Sequence, residues 1–247
     1  MGISGGPNII RDSSLIVNLD AADKNSYLGS GTDWYDLSGN GNHGLISTGE
    51  FDSTGNYLRN YANTSNFFTI TIYNTTTINN TFSVTTGGWT IEEIIWTNSV
   101  NYPEADGGSV VSNAAYGGGA TGFDWNHGNG LSSVRFGMSS NSAGSYEDDV
   151  YVSTGAVNST NVWRVRTMIW DRGNNQVKLY MNGIYSGYAN TPNTAGTSIY
   201  DGGGLLFGSL YGWKHYGRRA SIKVYNKVLS ADEVAQNYNQ LKSRFNL

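Results

Sequence analysis

Gln176-Val177-Lys178-Leu179-Tyr180-Met181-Asn182-Gly183-Ile184-Tyr185-Ser186-Gly187-Tyr188 decides the fold. Val177, Leu179 and Met181 alternate with Lys178 and Tyr180, the period of a strand with one buried face. Asn182-Gly183 then reverses the chain, because both residues tolerate the positive φ of a two-residue hairpin turn. The same pattern recurs outward. Trp89–Trp96 predicts a central strand, with Trp89, Ile91, Glu93 and Ile95 on one side and Thr90, Glu92, Ile94 and Trp96 on the other. Ser14–Leu19, Phe67–Tyr73, Ser109–Ser112, Val134–Met138, Trp163–Trp170, Leu205–Gly208 and Ala220–Tyr225 add further strands. Many short strands between turn signals predict a sandwich or barrel.

Composition agrees. Aromatic residues make up 13% of the 247 residues and favour strands, while 33 glycines supply turns. There are no cysteines, which excludes disulfides, thiolate metal sites and cysteine nucleophiles. Charged residues are 14% and the net charge is -4, so no basic footprint for nucleic acid or an anionic membrane is present. No apolar run reaches the roughly 18–20 residues that span a bilayer. Met1-Gly2-Ile3-Ser4-Gly5-Gly6-Pro7 lacks the basic start and apolar stretch of a signal peptide.

One helix is predicted, at the end of the chain. Ser230-Ala231-Asp232-Glu233 is a capping box, and Val234, Tyr238, Leu241 and Phe245 fall on one face behind it. The expected organisation is an N-terminal arm over 1–13 and one domain over 14–247, closed by a helix over 230–245. The expected fold class is all-β, a two-sheet antiparallel jelly-roll sandwich with a short C-terminal helix.

Three stretches carry a family resemblance. They are Leu19-Asp20-Ala21-Ala22-Asp23, Trp34-Tyr35-Asp36-Leu37-Ser38-Gly39-Asn40-Gly41-Asn42-His43-Gly44 and Ile222-Lys223-Val224-Tyr225-Asn226-Lys227-Val228-Leu229-Ser230-Ala231-Asp232-Glu233. With Trp89-Thr90-Ile91-Glu92 and the Tyr180–Gly183 turn, the chain resembles laminin-G-like, concanavalin A-like jelly-roll domains. The resemblance implies two curved sheets packed face to face, in a family of lectins, adhesion modules and some glycosidases. The opening, Gly6-Pro7-Asn8-Ile9-Ile10, is further similar to laminin-G-like proteins of tailed phages. That likeness implies a virion structural protein, such as a capsid decoration or appendage subunit, located in the virion. Its expected partners are itself and other virion proteins; the alternative is a carbohydrate-binding adhesion module whose partner is a host-surface glycan. Relatives often carry an acidic residue, sometimes linked to calcium, ahead of the last strand. Here Arg218-Arg219-Ala220-Ser221 stands there without a carboxylate.

No catalytic residue is predicted. Glycoside hydrolysis needs two carboxylates flanking one bond, and glycosidases of this fold carry them as Glu-x-Asp-x-Glu on one strand. Glu92 and Glu93 are adjacent and a strand points them to opposite faces. Glu147 and Asp149 fit a solvated turn better. His43, His127 and His215 have no zinc-binding spacing. No cofactor is expected. Calcium stays open at the oxygen-rich loops around Asp20, Asp23, Asp106 and Asp201, none of which forms a spaced ligand loop. Two aromatic stretches read as loops form the candidate glycan or interface site: Asp124, Trp125, Asn126 and His127, and Trp213, His215 and Tyr216. Trp and Tyr serve equally as interface anchors or as core packing, so all three roles stand.

Overall fold

The strand read as central, Trp89 to Trp96, has strands on both sides in a computed structural model of the protein. The structure describes residues 9–47, 49–59, 69–73, 75–82, 86–97, 110–112, 122–127, 133–139, 150–153, 161–191, 204–210, 213–214 and 217–247. In chain order the first elements are β1 (Leu15–Asp20), β2 (Asp33–Trp34), β3 (Gly44–Ile46), β4 (Glu50–Asp52), β5 (Tyr57–Arg59) and β6 (Ile70–Ile72). Then come α1 (Thr76–Phe82), β7 (Gly88–Thr97), β8 (Val110–Ser112), β9 (Gly122–His127), β10 (Ser133–Ser139) and β11 (Val150–Ser153). The last are β12 (Trp163–Asp171), β13 (Gln176–Met181), β14 (Ile184–Asn190), β15 (Leu205–Leu210), β16 (Trp213–Lys214), β17 (Gly217–Tyr225) and α2 (Ala231–Leu241).

These strands form two antiparallel sheets. The first runs β14-β13-β12-β7-β17-β5-β4, with β1 also on β17; the second runs β11-β10-β9-β8-β15-β6-β3-β2, with β16 on β15. The fold is therefore the expected two-sheet sandwich with a short C-terminal helix.

Alternation along β7 creates two cores. Trp89 and Ile91 face between the sheets, with Met168, Trp170, Phe123, Phe136 and Phe207. Ile94 faces the other way and joins Val165, Ile169, Tyr180 and Tyr225 beneath Val234, Leu241 and Phe245 of the C-terminal segment. Helix α2 starts as its capping box requires: Ser230 Oγ accepts from the Glu233 N–H, and Glu233 Oε2 accepts from the Ser230 N–H at 2.8 Å. A 3-10 turn at Lys242–Arg244 extends it. The end of the expected arm is anchored, since Ile9 is buried and the Ile10 N–H donates to Asn237 Oδ1 at 2.9 Å.

Two local features differ from expectation. Helix α1 lies where no helix was expected. Its buried Ile78 and Phe82 fill the core, with the Phe82 ring stacked 5.5 Å from Phe123. Seven residues with two apolar anchors are too short to show a helical period. The stretch Asp124–His127, read as a loop, is strand β9, paired with β10 and β8.

The Asn182-Gly183 turn forms as predicted, with φ of 52° and 75°. A Cβ on Gly183 would sit 2.8 Å from the Tyr238 Cβ, so glycine also lets α2 approach the hairpin.

Candidate functional site

The two β7 carboxylates were the first groups to test for chemistry. Glu93 points between the sheets, where its oxygens are divided between two guanidinium groups. Arg166, its direct cross-strand neighbour on β12, binds Oε1 through Nε at 3.0 Å and through Nη2. Arg219 on β17 binds Oε2 through Nε at 3.0 Å and Nη2 at 2.9 Å. Burial pushes the Arg219 guanidinium down, and the Glu93 charge works against that shift. Nearby Arg164 is pushed down to about 10 by burial and by the Arg166 charge.

Glu92 points the opposite way, under α2. Lys223 Nζ donates to Oε1 at 3.0 Å, while Thr167 Oγ1 and Asn237 Nδ2 donate to Oε2 at 3.3 and 3.4 Å. Both acids are fully buried, so neither faces a cleft, and they sit on opposite faces as the strand period requires. Their burial was not legible in the local pattern of β7. The available signal was the alternating placement of Arg166, Arg219 and Lys223 on the flanking strands.

The loop motif Trp34–Gly44 proves to cover the edge of β1. Asp36 Oδ1 accepts from the backbone N–H groups of Asn18 and Ser38, and Oδ2 accepts from Ser38 Oγ and the Asn42 N–H. Ser38 Oγ and Asn42 Nδ2 donate to the Ile16 carbonyl, and Asn40 Nδ2 donates to that of Leu15. The loop thus satisfies backbone groups that another strand would otherwise take. Gly39 and Gly41, at φ of 91° and 71°, let it turn tightly enough. Trp34 is fully buried, whereas Leu37 is half-buried and held through its N–H on the Asn18 carbonyl. His43 has a structural partner, its Nδ1 accepting from the Asp36 N–H at 2.9 Å.

The acidic groups considered for calcium are also engaged. Arg244 grips Asp20 in bidentate fashion at 2.7 and 2.6 Å, and this holds the carboxyl below its ordinary range although burial pushes it up. Asp23 accepts from the N–H and Nδ2 of Asn25. Asp106, Asp201, Glu147 and Asp149 lie outside the described residues. Among the described residues no cluster of three metal-ligating groups occurs.

Of the predicted glycan or interface residues, Trp125 is corrected. It is 0% exposed, and its ring packs 4.8 Å from Phe136 in the inter-sheet core. The reason is the strand period: Phe123 and Trp125, two apart on β9, both turn inward. Trp125 therefore presents no platform to solvent. Asp124, Asn126 and His127 are placed by backbone pairing only, opposite Gly137, Arg135 and Val134. Trp213 lies on β16 opposite Leu210, while His215 and Tyr216 fall outside the described residues.

The exposed aromatic surface is instead on the β13–β14 hairpin. Ile184, Tyr185 and Tyr188 are 72%, 49% and 51% exposed, and Tyr151 of the adjacent β11 is 52% exposed. Tyr185 packs edge-on against Tyr180 at 5.3 Å. Tyr188 lies across from Lys178, whose Nζ donates to Asp171 Oδ2 at 2.5 Å. Gln176 and Asn190 face each other at the far end, with an amide–amide bond of 3.3 Å. Burial pushes the Tyr185 hydroxyl pKa up, and Tyr180 adds to the shift. Strand β14 pairs only with β13 among the described strands, and a bulge between Leu179 and Tyr180 interrupts the pairing. The hairpin was the plainest element in the sequence. The exposure of its tyrosines was missed, because exposure depends on the place of β14 at the end of the sheet order, which local alternation does not reveal.

The described strands define a two-sheet antiparallel β-sandwich. No family model matches the chain, and no curated protein matches it. Solved structures do. The binding domain of Paraclostridial Mosquitocidal Protein 1 is 15% identical, with a TM-score of 0.62, over 93% of this chain and 53% of that one. The botulinum neurotoxin serotype G binding domain is 14% identical, with a TM-score of 0.64, over 93% and 51%. The binding domain of botulinum neurotoxin DC in complex with SialylT is 13% identical, with a TM-score of 0.57, over 94% and 52%. The chain thus spans about half the length of these structures. At such identities the likeness is one of fold.

Proposed function

We propose that this chain is a non-enzymatic binding module that serves as a virion structural subunit, a capsid decoration or appendage protein contacting itself and other virion proteins. The observation that carries the binding role is the pair of exposed tyrosines Tyr185 and Tyr188 on β14, a strand that pairs only with β13 among the described strands. Exposed tyrosines and an unpaired edge are the surface features that join chains. The virion setting is supported by the similarity of Gly6–Ile10 to tailed-phage proteins, and the laminin-G-like assignment by the Trp34–Gly44 loop. The non-enzymatic part is supported by the burial and full pairing of Glu92 and Glu93. Hydrogen exchange measured over a concentration series tests the contact face. Amides of Ile184–Asn190 are expected to become slower to exchange as concentration rises. Rates independent of concentration would overturn the contact.

A second reading, a saccharide-binding module, is favoured by the same hairpin, because Tyr185 and Tyr188 share it with the amides of Gln176 and Asn190 and with Lys178. On this reading a glycan array gives signals that Tyr188→Ala abolishes while the fold persists. A blank array removes the reading.

A further inference from the structure

Beneath α2, three side chains form a cluster with a chemistry that packing does not require. Lys223, Glu92 and Asn237 are 2%, 0% and 0% exposed. One carboxylate joins the other two, since Glu92 Oε1 accepts from Lys223 Nζ at 3.0 Å and Oε2 from Asn237 Nδ2 at 3.4 Å. The Asn237 amide is held at both ends. Its Oδ1 accepts from the Ile10 N–H at 2.9 Å, and its Nδ2 donates to the Tyr225 hydroxyl at 2.9 Å. A lysine almost never lies this deep. On the other face of the same strand Glu93 is met by two arginines, which stay charged and cannot act as nucleophiles. Lysine differs because it can give up its proton and attack a carbonyl carbon.

We propose that Lys223 and Asn237 are joined by an intramolecular isopeptide bond, formed by the folded chain with Glu92 as proton carrier. Lys223 Nζ and the Glu92 carboxylate are in direct hydrogen-bond contact, so a proton can pass between them without a relay. The neutral Nζ attacks Cγ of Asn237 and forms the new C–N bond. Charge that develops on Oδ1 is met by the Ile10 N–H, a preorganised backbone donor. Glu92 takes a proton from Nζ and delivers one to Nδ2, the Cγ–Nδ2 bond breaks, and ammonia leaves. An amine and a primary amide become a secondary amide plus ammonia, with no oxidant, metal or cofactor. Glu92 holds the amine on one oxygen and the amide on the other, and closing the gap between them inside the folded protein supplies the proximity that such an amine–amide reaction lacks in solution. The product ties α2 covalently to β17. The inference does not depend on how the hairpin is used.

The test is mass spectrometry of the full chain, unfolded and then digested. The expected result is a mass lower by one ammonia, with a fragment spectrum joining the peptides that contain Lys223 and Asn237. Ring closure at pairs such as Asn182-Gly183 also releases ammonia, so the joined peptides are decisive. Folded Glu92→Gln and Lys223→Met proteins are expected to keep the two peptides separate. Separate peptides in the wild-type chain overturn the bond, whatever the variants do. A folded Glu92→Gln protein linked as fully as wild type overturns the role of Glu92.

Discussion

Glu92 and Glu93 are neighbours on one strand, equally buried, and used in opposite ways. Glu93 is shared between two guanidinium groups in the inter-sheet core, with one on each oxygen. Glu92 is a junction linking β17 through Lys223, β12 through Thr167 and α2 through Asn237. The difference follows from what each face must hold. Between two sheets, a charge needs rigid planar partners that leave nothing unmet. Under a helix docked on one sheet, a carboxylate with oxygens to spare connects layers that apolar packing alone would let slide. A buried ion pair is weak evidence of stability in itself, since desolvation offsets much of its attraction, but removing one member is costly.

That contrast can be broken first on the Glu93 side. Glu93→Ala leaves Arg166 and Arg219 buried without their shared carboxylate and should cost about 3–5 kcal/mol in denaturant unfolding. The helix side is probed next by Gly183→Ala. It forces a side chain into left-handed backbone against Tyr238, and is expected to cost about 1–3 kcal/mol. Ser230→Ala removes half of the capping box and should cost about 1 kcal/mol, with α2 amides exchanging faster than those of β7. The smallest effect lies at the rim. A hydrogen bond from Lys227 above all, aided by Ser14, holds the Asp12 carboxyl at about 2. Because the folded value is depressed, this stabilisation is fully present above the ordinary carboxylate range and is lost as pH falls toward 2. In Lys227→Ala, NMR titration of Asp12 should move upward toward the ordinary range.

The elements that the sequence made legible were those whose signal is local. The alternation of β7, the Asn182-Gly183 turn and the Ser230 cap each lie within a few residues, and each stands where it was expected. What escaped depended on partners far along the chain. Trp125 was read on a loop, with core packing only one of three roles, because Asp124, Asn126 and His127 disguised a six-residue strand. The Asp36 loop was legible as a motif, but its purpose required the edge of β1 beside it. Tyr185 and Tyr188 are exposed, which the strand pattern alone did not reveal. Lys223 and Asn237 meet at Glu92 across more than a hundred residues of sequence.

Sedimentation velocity of the wild-type chain and of a Tyr185→Ala/Tyr188→Ala variant, each over a wide concentration range, tests the binding role of the hairpin most directly. The wild-type chain is expected to self-associate, and the variant to stay monomeric with an unchanged melting temperature. A wild-type chain that is monomeric at every concentration, or a variant that assembles equally well, would contradict that role.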